Sequence, residues 1–209
     1  MKRIIILAVS AIFILTLTAC PNFEDHCSSE VHSFLIPIKV TVPRDTLNIG
    51  DTIWFESSFS ALVRDTTLKK DLLLRNGIFS VSLGVNEYYF TDQSQKGLKS
   101  AQDKFERIVR NGKPIDFSGV YFSYLSATNS YGIKIGYVAK KEGEYMIHYH
   151  GSEVNEEGVD CDPFKNGTPY PLPYEHPNLF EKLNQKYGVV FQEGYDQSIL
   201  QSGFGFIVK

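Results

Sequence analysis

His148 and His150 stand two residues apart in "MIHYH". On a strand that spacing puts both imidazoles on one face, as a metal pair requires. A third ligand would come from elsewhere, with His32, His176 or an acid as candidates. The same spacing also describes a plain strand whose opposite face carries Tyr145, Ile147 and Tyr149, with the histidines in water. Next comes "EVNEEGVDCDPF" (153–164), which gathers Glu153, Glu156, Glu157, Asp160 and Asp162. Oxygen-rich loops of this kind can hold calcium, but the spacing is not that of an EF-hand, and a solvated acidic loop accounts for it more simply. The chain contains no G-x-S-x-G, phosphate-cradling glycine loop or H-E-x-x-H. The expectation is a protein that is not an enzyme and needs no cofactor. A metal-dependent or hydrolytic envelope enzyme on the His148/His150 face is the alternative.

Binding chemistry is better represented. Segment 163–177, "PFKNGTPYPLPYEHP", is stiffened by Pro163, Pro169, Pro171, Pro173 and Pro177, so less entropy is lost when it binds. Phe164, Tyr170 and Tyr174 add flat apolar faces, two of them with polar tips, suited to sugar stacking or peptide docking. The competing reading has these rings packed over the end of the fold.

Three cysteines fix the setting. Lys2 and Arg3 precede an apolar run from Ile4 to Leu17, too short to span a membrane comfortably but suited to a secretory leader. It ends in Leu17-Thr18-Ala19-Cys20, which resembles the lipobox of bacterial lipoproteins. The resemblance implies cleavage after residue 19, lipidation of Cys20 and attachment through acyl chains, each worth about 0.8 kcal/mol per buried methylene. Pro21 stands where an inner-membrane retention signal carries Asp, which implies sorting to the outer membrane. Glu24-Asp25 weakly resembles an acidic surface-export signal. With Cys20 acylated, Cys27 and Cys161 remain as a pair in a compartment where disulfides form. The formal charge is −3 and falls further when Lys2 and Arg3 leave, which argues against nucleic acid as a partner. "DTL" (45–47), "DTI" (51–53) and "DTT" (65–67) resemble an O-glycosylation sequon of some Gram-negative bacteria, which would place sugar on Thr46, Thr52 or Thr66.

The elements that must position these residues are mainly β. Residues 31–209 form one domain after the leader (1–19) and a tether (20–30). Phe34, Ile36, Ile38, Val40 and Val42 alternate, and Ile53, Phe55 and Phe59 resume the period after a turn at Gly50-Asp51. Leu72 to Leu83 reads as a hairpin around Asn76-Gly77, with Leu74 opposite Phe79 and Leu72 opposite Val81. Further strands are expected at Val120–Leu125, Tyr131–Ala139, Tyr145–His150 and Phe204–Val208. Two helices are expected. One lies near 100–110, where Leu98, Ala101, Phe105 and Ile108 have helical spacing and Ser100 and Asp103 form a capping box. The other covers 177–187, from Pro177 to a stop at Gly188, with Leu179, Phe180, Leu183 and Tyr187 inward.

"NIGDTIWF" (48–55) is similar to the second strand of many immunoglobulin-like domains, and "EGEYMIHY" (142–149) to the run into their strand F. The resemblance implies that Tyr145 is a tyrosine corner whose hydroxyl returns to the backbone. Phe55 and Ile147 occupy the usual cysteine positions, so the core relies on packing, and Trp54 neighbours the core face instead of sitting on the third strand. The expected fold is a β-sandwich, immunoglobulin-like or related, with two short helical insertions. The expected function is a non-catalytic binding or adhesion module for a glycan or an envelope protein.

Overall fold

The computed structural model describes residues 32–74, 77–90, 96–115, 121–150, 152–156, 165–173, 176–189 and 203–209. The first strands are β1 (His32–Thr41), β2 (Thr52–Ser60), β3 (Leu62–Arg64), β4 (Asp71–Leu73), β5 (Gly77–Phe90), β6 (Lys96–Ser100) and β7 (Phe105–Asn111). They are followed by β8 (Lys113–Pro114), β9 (Tyr121–Ser123), β10 (Leu125–Ala127), β11 (Ser130–Ala139), β12 (Gly143–His150), β13 (Ser152–Glu156), β14 (Lys165–Pro171) and β15 (Phe204–Val208). Among the described residues one α-helix, α1 (Phe180–Tyr187), precedes β15.

The alternation of apolar residues makes two layers. In the first, β2 lies between β1 and β11, and β11 carries β7 and β10 along its other edge. In the second, β5 pairs with β12, β6 and β9, and β15 lies beyond β12. Strands β14 and β13 bridge the layers, β14 parallel to β1 and β13 antiparallel to β5. The parallel pair separates this sandwich from an all-antiparallel immunoglobulin domain. Phe34, Ile36, Ile38 and Val40 of β1 and Ile53, Phe55 and Phe59 of β2 face inward, as their spacing predicts. Phe79 of β5 meets them, its ring 5.9 Å from Phe34, 5.4 Å from Phe59 and 4.4 Å from Tyr131. Each such ring contributes roughly 1.5–3 kcal/mol by leaving water.

The tyrosine corner is present. The Tyr145 hydroxyl donates to the carbonyls of Lys141 (3.1 Å) and Glu142 (3.0 Å), pinning the entry of β12 to the turn before it.

Two expectations are corrected. The stretch near 100–110 is not a helix: β6 ends at Ser100, a single 3-10 turn covers Gln102–Lys104, and β7 begins at Phe105. Asp103 takes no capping role, since the turn has no side-chain cap bond. "FERIVRN" also alternates with period two, and pairing with β11 satisfies its backbone edge on that side except at the irregularity around Arg110. The helical spacing arose from residues of two strands in different layers, with Ala101 and Phe105 buried at the crossing. The Leu72–Leu83 hairpin does not form either. Leu72 pairs with Val63 in the β3–β4 hairpin, and Val81 pairs with Phe122 of β9. Leu74, Phe79, Val81 and Leu83 are all buried, so the pattern marked the core but not the partner. Asn76 lies outside the described residues.

Helix α1 is where the sequence places it. Gly188 ends it in the left-handed region (φ 58°), its N–H returning to the carbonyl of Asn184. Phe180, Leu183 and Tyr187 pack on Tyr88 and Met146, on the outer side of the second layer. Asn178 docks the helix on β15: its Oδ1 accepts the N–H groups of Phe180 (3.0 Å) and Gly205 (2.8 Å), and its Nδ2 donates to the Gly203 carbonyl (2.8 Å).

Candidate functional site

The histidine face is only partly open. Met146, on the same side of β12, is buried under α1, so the side opposite Tyr145, Ile147 and Tyr149 is not simply solvated. His148 is half-buried, its Nδ1 lies 3.2 Å from Asn86 Nδ2, and its ring lies against Gly84. A Cβ at position 84 would sit 2.3 Å from the imidazole, so any larger residue there would displace the ring. The candidate third ligands are engaged separately, His32 with Asp65 and His176 with Asp45. Among the described residues no group of three or more His, Cys, Asp or Glu could hold a metal.

The His32–Asp65 pair is buried. His32 Nδ1 lies 2.6 Å from Asp65 Oδ2, and Asp65 Oδ1 accepts the N–H groups of Thr67 (2.7 Å) and Leu68 (2.9 Å). Burial pushes the Asp65 carboxyl up, but the bonds from Leu68, His32 and Thr67 outweigh it and hold the group at about 2. The pair clips the start of β1 to the turn after β3. Next to it Thr66 is exposed, with its hydroxyl donating to the Ser33 carbonyl at 3.0 Å, whereas Thr46 and Thr52 are half-buried.

The proline-rich segment is not a loop along its whole length. Lys165–Pro171 is strand β14, with Tyr170 in register with Pro37 of β1, and the Leu172 N–H donates to Ile38 O. Proline is tolerated there because β14 leaves some of its backbone positions without a ladder donor to supply. Phe164 and Tyr174 lie outside the described residues, as do Cys20, Cys27 and Cys161, Glu157, Asp160 and Asp162.

The surface with the most binding character is the outer face of the first layer. Among the described residues no element packs over it. Along β2 the outward residues are Thr52, Trp54, Glu56, Ser58 and Ser60, out of phase with the buried Ile53, Phe55 and Phe59. Register puts Gly136 beside Trp54, Lys134 beside Glu56 and Gly132 beside Ser58. Leu35 on β1 and Leu125 on β10 stand at the margins, each about half exposed.

Trp54 organises the centre. Its ring leans over Gly136, where a Cβ would come within 2.8 Å of Cζ3, so a glycine in β11 makes room for the indole. Lys134 Nζ lies 5.6 Å and the Arg110 guanidinium 5.7 Å from its ring, both within cation–π range. Arg110 stands at a β-bulge. Val109 pairs with Ile135 and Asn111 with Lys134, so Arg110 is the extra residue of β7 and is turned onto the indole. Lys134 is also held by Glu56 at 2.9 Å.

No protein-family model matches the chain, and no curated protein matches it. Solved structures similar to it include a chain of a type II cohesin–X-dockerin complex from Acetivibrio cellulolyticus, 8% identical, with a TM-score of 0.30 over 68% of this chain and 99% of that one. A DUF4466 family protein from Parabacteroides merdae is 10% identical, with a TM-score of 0.26 over 62% of this chain and 44% of that one. A type II cohesin domain from Acetivibrio cellulolyticus is 9% identical, with a TM-score of 0.26 over 68% and 92%.

Function has to be read from the chain's own surface. Sequence reasoning singled out Tyr170, Phe164 and Tyr174 and passed over Trp54, Arg110 and Lys134. One signal was available for Trp54: the single tryptophan of the chain sits at an outward position of an otherwise alternating strand. Arg110 carried no comparable signal, because its placement depends on a bulge in a segment that reads as helix.

Proposed function

We propose that this protein is a non-catalytic binding module of the cell envelope, held at the outer membrane by lipid on Cys20, which retains envelope material on the open face around Trp54. The observation that carries the reading is the Trp54 platform: a lone indole kept at the surface of the sheet, seated on a glycine and flanked by two cations from neighbouring strands. A solvated sheet face has no need of such an arrangement. Aromatic and Arg side chains are also the ones that dominate binding energy at recognition surfaces. Tyr170, whose backbone is in register with Pro37 on the adjoining strand, belongs with Phe164 and Tyr174 to the ligand-contacting residues in this reading. Cys27 and Cys161 form the disulfide that ties the tether to the body.

The test is capture of solubilised envelope material by the full chain without its leader, compared with Trp54→Ala. The variant is expected to lose most of the captured material while its melting temperature moves by only a few degrees, because Trp54 packs on the sheet surface and not in the core. Equal capture by both proteins would refute the face.

A further inference from the structure

The occupant of this face can be narrowed by charge, and the narrowing rests on the proposed binding role. On the face, Lys39, Arg110 and Lys134 stand against Glu56 and Glu106, whereas the whole chain has 21 basic and 24 acidic residues. Glu56 engages Lys134 at 2.9 Å, and Glu106 lies 3.9 Å from Lys140. No acid among the described residues pairs with Arg110. The residue is exposed, its guanidinium lies 5.7 Å from the indole ring, and its planar fork of donors suits a carboxylate or sulfate. Holding the side chain in advance lowers the entropy lost when an anion arrives.

The rest of the floor indicates what carries the anion. Ser58, Ser60 and Thr52 present hydroxyls, Gly132 and Gly136 add no bulk, half-buried Ile108 lies beside Gly136 next to the indole, and Leu35 and Leu125 stand at the margins. A flat floor of hydroxyls beside an aromatic ring suits a chain of sugar rings, which bring apolar C–H faces and many hydroxyls. We infer that the Trp54–Arg110 face binds an acidic polysaccharide, with Arg110 taking the anionic group and Trp54 the adjoining ring.

Affinity electrophoresis in gels containing polygalacturonate, dextran or polyglutamate tests this, using the full chain without its leader and its Trp54→Ala and Arg110→Gln variants. Retardation by polygalacturonate alone is expected, weakening as salt rises. Arg110→Gln should weaken it about tenfold, in line with the loss of one charge-assisted contact. Equal retardation by dextran, with Arg110→Gln unchanged and Trp54→Ala defective, would overturn the acidic ligand while leaving the face in place. Retardation by polyglutamate as strong as by polygalacturonate would overturn the sugar. No retardation in any gel, with envelope capture still lost in Trp54→Ala, would likewise overturn the polysaccharide, whereas capture intact in Trp54→Ala would remove the face itself. Circular dichroism of each variant verifies that it is folded.

Discussion

Asp65 shows how one residue can fix a junction. Its carboxylate is fully buried, yet it stays ionised because His32 and two backbone N–H groups satisfy its oxygens. A carboxyl held at about 2 instead of 3.8 binds protons less readily when folded than when unfolded. Its contribution is therefore complete above about pH 4 and is lost as pH falls from there toward 2. Urea unfolding across that range should show a steep fall in stability for the native chain and a shallower one for Asp65→Asn. At neutral pH Asp65→Ala should cost about 3 kcal/mol, because it leaves His32 buried without its partner. The tyrosine corner is a smaller device. Tyr145→Phe removes one donor serving two carbonyls and should cost about 1 kcal/mol with no change in the urea m-value.

The elements divide into those that sequence made legible and those it did not. Period-two alternation identified β1, β2, β11, β12 and β15 because each has one face in a single core, so every second residue had to be apolar. Tyr145 and Gly188 were legible because their roles are local: a hydroxyl reaches back three or four residues, and a left-handed cap follows the last helical turn. Pairing was not legible. Leu72 and Val81 have the right residue types for a hairpin with each other, but their partners Val63 and Phe122 are chosen by the layer each strand joins. For the same reason β7 looked helical, since Phe105 and Ile108 point to opposite sides of one sheet. The Arg110 bulge lies in that misread stretch, which is why half of the candidate site was hidden. Helix α1 gives a test at this scale. Phe180→Ala should destabilise by about 3 kcal/mol, because its ring is buried with Met146 and Leu183 and its loss leaves a cavity. Trp54 fluorescence should be unaffected, since α1 packs on the opposite layer.

For the whole molecule, the two layers have different outer faces. The second is partly covered by α1 through Phe180, Leu183 and Tyr187, whereas the first presents Trp54, its cations and a hydroxyl floor. In the proposed role, a module tethered at one end gains from having one covered face and one available face. The proposed tether yields two predictions. Cys20→Ser should abolish acylation, so that membrane fractionation finds the precursor uncleaved or the protein soluble; a lipidated outer-membrane product would contradict the lipobox. Mass spectrometry of a non-reduced digest should find a Cys27–Cys161 peptide, and full alkylation of both thiols without reductant would exclude the bond. Closing so long a loop with the proposed bond would stabilise the fold by about 5 kcal/mol in the chain-entropy model.

Because the chain has a single tryptophan, its emission reports on the candidate site alone. The most direct measurement is a fluorescence titration of the folded chain with the envelope material it captures. Binding at the open face should change the intensity or wavelength of Trp54 emission in a saturable way, with the same midpoint as capture. Saturable capture that leaves the emission untouched would place the ligand elsewhere and contradict the account.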